Sequence, residues 1–143
     1  MTGTRESKSV VFDTSAILAF WNDERGADQV ERMLKAAGSG LNIYISFMTL
    51  MEGKYQIWRS VGKDTAEEFE RMIRNLPLSR VDVTDSILNY AAEIKATTRL
   101  SVADSWIIAT AIDTDSALVH KDPEFEQVKG RVELIPLPYK KQV

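Results

Sequence analysis

Short apolar runs alternate along this chain with longer stretches whose apolar residues recur at helical spacing. That alternation narrows the folds open to it. Ser9–Phe12, Leu41–Ile45, Arg80–Val83, Ala117–His120 and Arg131–Ile135 are the strand-like runs. Helical patterns fill the intervals. Thr14–Phe20 is short. A second pattern carries Ala27, Val30, Met33, Leu34 and Ala37, with Asn22 and Asp23 as its expected caps and Gly38 and Gly40 at its end. Ser46 is the expected N-cap of Phe47–Ser60. Thr65 with Glu68 makes a capping-box pattern ahead of Ala66, Phe69, Met72, Ile73 and Leu76, and Pro77 closes that stretch. Thr84 starts a helix with Ile87, Leu88, Ala91 and Ile94 inward, and Ala103–Ile112 is apolar nearly all round and so expected to be buried. The order strand, helices, strand, helices, strand, helices, strand, short helix, strand predicts a three-layer α/β/α sandwich on a parallel sheet.

The chain has 143 residues, enough for one domain with a real core. Residues 1–8 read as a flexible N-terminus, 9–137 as the domain and 138–143 as a flexible tail. The absence of cysteine removes disulfides, thiol nucleophiles and cysteine zinc sites, and one histidine, His120, rules out multi-histidine metal motifs. Oxygen ligands are what remain. No apolar run reaches the about 20 residues of a membrane span, so cytoplasmic residence is the default expectation. A net charge of −3 argues against a simple basic nucleic-acid binder, though not against an enzyme that meets nucleic acid through metal ions. Lys54, Arg59 and Lys63 form the one loose basic group, read as a solvated helix face.

In a parallel sheet, ligands sit beyond the carboxyl ends of the strands. Asp13 and Asp122 fall at or just past such ends, Asp104 opens the apolar helix, and Glu52 lies one to two turns into a helix that follows a strand. Three of these have a capping explanation. Asp13 precedes Thr14-Ser15, Asp122 precedes Pro123, and Asp104 sits three residues after Ser101. Glu52 has none, and its ordinary reading is a solvent stripe with Thr49 and Gln56. If the four converge, each pair of carboxylates about 4 Å apart costs roughly 4 kcal/mol at an effective dielectric of about 20. A cation must then hold them, and Mg²⁺ or Mn²⁺ suits oxygen ligands.

The stretches Val10-Val11-Phe12-Asp13-Thr14-Ser15-Ala16, Ile45-Ser46 to Met51-Glu52, Leu100 to Ala111 and Leu118-Val119-His120-Lys121-Asp122-Pro123-Glu124-Phe125 carry a resemblance. The chain is similar to PIN-domain proteins, most of all the VapC-type toxin ribonucleases of toxin–antitoxin pairs, over about residues 9–137. The resemblance implies a five-stranded parallel sheet of order 3-2-1-4-5, metal-dependent RNA cleavage, homodimerisation and neutralisation by a small antitoxin. It places the catalytic acids on Asp13, Glu52, Asp104 and Asp122 and the supporting hydroxyl on Ser15. Asp13 and Asp104 are the expected direct ligands of Mg²⁺ or Mn²⁺, Asp122 an indirect or second-ion ligand, and Glu52 the residue that positions or deprotonates water. One position departs: where the family often has Thr or Ser two residues before the last acid, this chain has His120, read as a strand-end residue without catalytic duty.

Other readings remain open at this stage. A phosphotransfer enzyme of the haloacid-dehalogenase type would want a second Asp two residues after Asp13, where Ser15 stands. A receiver module would want an acidic pair near the first strand. An RNA-processing nuclease and a non-catalytic PIN-like scaffold share the four acids. Trp21, Tyr55, Trp58, Met48, Met51, Phe69 and Met72 supply apolar area for either a core or a dimer contact.

Overall fold

The computed structural model describes residues 9–140, so the segments 1–8 and 141–143 lie outside the described residues. Five strands form one sheet: β1 Ser9–Phe12, β2 Asn42–Ser46, β3 Ser79–Val81, β4 Ala117–His120 and β5 Leu134–Pro136. Their order is β3-β2-β1-β4-β5 and every pairing is parallel, as expected. The helices are α1 Thr14–Trp21, α2 Ala27–Ala36, α3 Phe47–Ser60, α4 Lys63–Asn75, α5 Asp85–Thr97 and α6 Val102–Asp113, with a short 3-10 helix at Pro123–Val128.

Strand alternation splits β1 between two cores. Val10 and Phe12 face one side with Ile43, Ile45 and Val119, where Ala16, Ile17, Val30, Ile57, Phe69 and Ile73 from α1–α4 cover them. Val11 faces the other side with Leu118, under Ile94, Ile107 and Ile108 of α5 and α6 and Phe125 of the 3-10 helix. β1 is therefore central and buried on both faces, which explains its unbroken apolar run. Sheet order reverses between β1 and β4, and in such sheets ligands bind beyond the carboxyl ends of the strands at this switch point.

Caps follow local chemistry closely. Ser46, Thr84 and Ser101 accept from the N–H groups of Met48, Ile87 and Asp104, as their spacing predicts. Two expected caps do not form. Asn22 is the C-cap of α1, and α2 starts after Gly26, whose φ of 99° is left-handed. A Cβ at Gly26 would lie 3.0 Å from Leu137 Cβ, so close packing against β5's end, not side-chain capping, sets this turn. The Thr65–Glu68 box fails because α4 begins earlier, at Lys63, and Thr65 is already inside the helix. Leu88 is exposed, because Ile87, Ala91 and Ile94 take the inward row of α5 one position away. The outer strands are shorter than expected: β3 spans Ser79–Val81 and β5 Leu134–Pro136. Among the described residues, no helix is long and apolar enough to cross a membrane.

Candidate active site

Asp13 stands at the C-terminal end of β1, where its N–H donates to Val119 O at 2.9 Å and ties β1 to β4. It is also the N-cap of α1. Oδ2 accepts from the Ser15 N–H at 2.8 Å and from the Ser15 hydroxyl. Oδ1 is buried and has no hydrogen-bond partner among the described residues. Capping and ligation are therefore compatible here: one oxygen serves the helix and the other has no donor among the described residues. Burial pushes the carboxyl up from 3.8 to about 7, against the Ser15 hydrogen bonds, and the charges of Asp104 and Glu52 raise it further.

Ser15 does more than support Asp13. Its Oγ also accepts from the Lys121 main-chain N–H at 2.8 Å, across the β1–β4 boundary. Lys121's own side chain is almost fully buried. Its Nζ reaches Glu24 Oε1 at 3.0 Å and Arg25 O at 2.9 Å. The end of β4 is thus held to the α1–α2 turn by an ion pair and to Asp13 through a hydroxyl.

Glu52 is half-buried between fully buried Thr49 and exposed Gln56, so only part of the expected solvent stripe forms. Glu52 Oε1 accepts from Thr14 Oγ1 at 2.6 Å, which aims the carboxylate toward the start of α1. Thr14 Oγ1 also lies 3.5 Å from Thr49 Oγ1. Asp104 occupies the first turn of α6, its N–H donating to Ser101 Oγ at 3.1 Å. Burial raises its carboxyl from 3.8 to about 6, with the charges of Glu52 and Asp122 adding to the rise. Asp122 caps the 3-10 helix by accepting the Glu124 N–H on Oδ1 at 2.9 Å.

The four acids are linked electrostatically through Asp104. Asp13 feels Asp104 and Glu52, and Asp104 feels Glu52 and Asp122. They do not close into a cage: among the described residues, no three His, Asp or Glu side chains converge tightly enough to ligate one ion as they stand. The donor set still fits Mg²⁺ or Mn²⁺. Such ions keep several waters and take one or two carboxylates directly, and Asp13 Oδ1 is a buried acceptor with no donor among the described residues.

His120 is the last residue of β4, the strand end expected for it, and is fully buried. Its Nδ1 accepts the Asp122 main-chain N–H at 3.1 Å, so the proton belongs on Nε2, which is buried without a partner among the described residues. The ring packs edge-on against Phe125, with centroids 5.1 Å apart, and lies 6.0 Å from Tyr139. Burial lowers its pKa below the ordinary 6.5, against the Asp122 and Glu126 charges. Tyr139 donates to Glu126 at 3.0 Å and is pushed up to about 12, by burial first and then by that carboxylate. The sequence alone gives no site role to Thr14, Glu24 or Lys121, and none to the His120 contact with the Asp122 main chain. Thr14's place beside Asp13 was the one available signal.

The profile of the PIN-domain family matches residues 10–131. Among proteins of curated function, none matches the chain in sequence. Solved structures share its fold at low identity. VapBC2 from Rickettsia felis, bound to a promoter DNA fragment, is 18% identical, with a TM-score of 0.73 over 91% of this chain and 99% of that one. DNA-bound VapBC from Salmonella typhimurium is 18% identical, with a TM-score of 0.71 over 90% and 97%. Mycobacterium tuberculosis VapC20, described as a sarcin-ricin-loop-cleaving toxin, is 16% identical, with a TM-score of 0.68 over 83% and 94%.

Proposed function

The chain belongs to the PIN-domain family, and from that premise we propose that it is a Mg²⁺- or Mn²⁺-dependent endoribonuclease, the toxin of a VapBC-type pair acting in the cytoplasm. The observation that carries this is Asp13 Oδ1, buried and unpartnered within the field of Glu52 and Asp104. A polar atom in that state is costly unless something positive reaches it.

Asp13 and Asp104 would hold the ion directly, with Asp122 beside them. When bound, such an ion lowers the pKa of water and neutralises charge at a phosphoryl group. The protein's own part is positioning. Ser15 and Lys121 fix the Asp13 carboxylate through Oδ2, leaving Oδ1 without a donor among the described residues. Thr14 engages Oε1 of Glu52, so Oε2 is the atom available to take a proton from the attacking water. His120 orients the Asp122 main chain. The start of α1 lies beside Asp13 and the first turn of α6 carries Asp104, where the dipoles of the two helices favour a phosphate.

The structural neighbours that pair a VapC with its VapB support a small antitoxin as partner, and the family resemblance supports a homodimer. The test replaces Asp13 by Asn and measures cleavage of RNA with Mg²⁺ or Mn²⁺. Loss of cleavage in a folded variant is expected, and full activity would sink the assignment. Co-purification with the product of an adjoining short reading frame tests the antitoxin, and sedimentation tests the dimer.

A further inference from the structure

Asp122 is the least firmly built of the four acids. Asp13 ends a strand, and Glu52 and Asp104 stand on helices of 14 and 12 residues. Asp122 caps a 3-10 helix of 6 residues, a form whose hydrogen bonds are poorly aligned. An acid on such a turn keeps its place only if neighbouring groups hold it.

His120 is one of those groups, and its burial is costly. Among the described residues its side chain makes a single hydrogen bond, the one that Nδ1 accepts from the Asp122 main chain. Nε2 is buried with no partner among them, a state that needs a reason. Two rings lie against the imidazole, with centroids 5.1 Å away for Phe125 and 6.0 Å for Tyr139. Phe125 belongs to the 3-10 helix itself, whereas Tyr139 comes from the segment beyond β5. That segment is anchored before it arrives. The Leu137 N–H donates to His120 O at 2.7 Å, and the Leu137 side chain is buried against Gly26. Tyr139 then donates to Glu126 of the 3-10 helix at 3.0 Å. One short segment therefore touches both flanks of the turn that carries Asp122: the histidine before it and the 3-10 helix after it.

We propose that Tyr139 is a positioning residue for the metal site: its ring keeps water off the His120 imidazole, which preserves the His120–Asp122 bond and so the place of the Asp122 carboxylate. This rests on the nuclease reading, in which Asp122 stands beside the ion, and it makes the segment after β5 part of the site. A hydrogen bond shielded from water is electrostatically stronger than one open to it. Loss of an outer group that orients a metal ligand commonly costs about tenfold or more in metal affinity.

The test uses the full chain. Exchange of the Asp122 amide hydrogen, followed by NMR, reads the His120 bond, and Mn²⁺ titration followed by electron paramagnetic resonance reads the ion. Tyr139 is only half-buried, so its variants should stay folded. Tyr139→Ala should speed the exchange and weaken Mn²⁺ binding roughly tenfold. Tyr139→Phe keeps the ring and should recover most of that affinity. At position 120, two variants separate bonding from packing. His120→Asn places an amide oxygen where Nδ1 lies but leaves space unfilled, whereas His120→Leu packs as an apolar residue and offers no acceptor. His120→Asn should therefore bind Mn²⁺ more tightly than His120→Leu even where its Tm is lower. Unchanged Mn²⁺ affinity in Tyr139→Ala overturns the proposal and leaves the nuclease reading standing. Affinity that follows Tm across all four variants also overturns it, because packing alone would then account for the losses. Losses in the expected order, in a protein that cuts no RNA even when unsubstituted, uphold the positioning role and sink the nuclease reading. An unsubstituted protein that binds no Mn²⁺ sinks both.

Discussion

The main-chain N–H of Lys121 donates to Ser15 Oγ at 2.8 Å, and that hydroxyl donates in turn to Asp13 Oδ2. One side chain thus joins two strand ends and sets the direction of a carboxylate. Ser15→Ala removes both bonds at once. The Lys121 N–H is left without its partner, which costs about 1–3 kcal/mol where water cannot replace it. The Asp13 carboxyl also loses a bond that holds it down, so its pKa should rise above about 7. Urea denaturation reads the first effect, and carboxyl titration by NMR reads the second.

Asp13 also makes stability depend on pH. Its folded pKa of about 7 lies above the ordinary 3.8, so the folded state binds the proton more tightly than the unfolded chain does. The resulting stability is complete below 3.8 and is lost as pH rises toward about 7. Asp104, raised to about 6, adds a slope of the same sign. In chelator, Tm should therefore fall between about pH 5 and about pH 8, and Asp13→Asn should flatten that fall and raise Tm at the upper end. Added Mg²⁺ should raise Tm more at the upper end in the unsubstituted protein, and much less in Asp13→Asn. A Tm that climbs with pH in chelator would contradict the raised carboxyls.

Gly53 decides how closely α3 and α4 approach behind Glu52. A Cβ there would lie 2.6 Å from Phe69 Cε2, and Phe69 is fully buried with its ring edge-on to Trp21 at 5.4 Å. Alanine improves helix propensity by about 1 kcal/mol over glycine. Overpacking against a ring with no free side costs about 1–3 kcal/mol. The clash should win, so Gly53→Ala should lower Tm. Phe69→Leu in the same chain should recover part of the loss, a coupling that a double-mutant cycle measures.

The fold was legible because the central strand and several helix starts carry their own local chemistry, while the outer strands were only approximately placed. The apolar run Val10-Val11-Phe12 marks a strand buried on both faces, and Ser46, Thr84 and Ser101 mark helix starts. Asn22, Asp23 and the Thr65–Glu68 pair misled because a capping residue only offers a hydrogen bond. Whether the helix begins there depends on packing, as Gly26 against Leu137 shows. At the site, the acids were visible as residues near strand ends. Their supports were not. A threonine bonded to Glu52 across 38 positions, or a lysine reaching Glu24 across 97, has no periodic signature in one sequence. His120 shows the same limit: only burial and the Asp122 N–H reveal it as an orienting group.

Thr14→Val isolates the first of those supports. Valine matches threonine in shape, so the buried position stays filled while Glu52 loses its 2.6 Å donor. A hydrogen bond to a charged group is worth about 1.5–3 kcal/mol. If that bond aims Glu52 at the attacking water, kcat for RNA cleavage should fall roughly tenfold to a hundredfold with KM little changed. Thr14→Ser keeps the hydroxyl and should restore most of the rate. An equal loss in both variants would mean that packing at residue 14, and not the hydrogen bond, sets the rate.

Lys121 presents the opposite balance, a charge buried for the sake of position. Its ammonium is almost out of water, held by Glu24 and the Arg25 carbonyl, while Glu24 stays partly exposed. Lys121→Met keeps the stem and removes the charge, leaving Glu24 and the carbonyl without their donor. Breaking a fully buried pair costs about 3–5 kcal/mol, and Glu24's access to water places this pair toward the lower end. Lys121→Met with Glu24→Gln should regain part of the stability, because no lone carboxylate remains. It should not regain the site. The α1–α2 turn would still be untied from the end of β4, and the main-chain N–H of residue 121, which the substitution keeps, would then be less firmly held against Ser15 Oγ. The Mg²⁺-induced rise in Tm should therefore stay reduced in the double variant even as its baseline Tm recovers. Full recovery of both would reduce the Lys121–Glu24 pair to a contribution to stability alone.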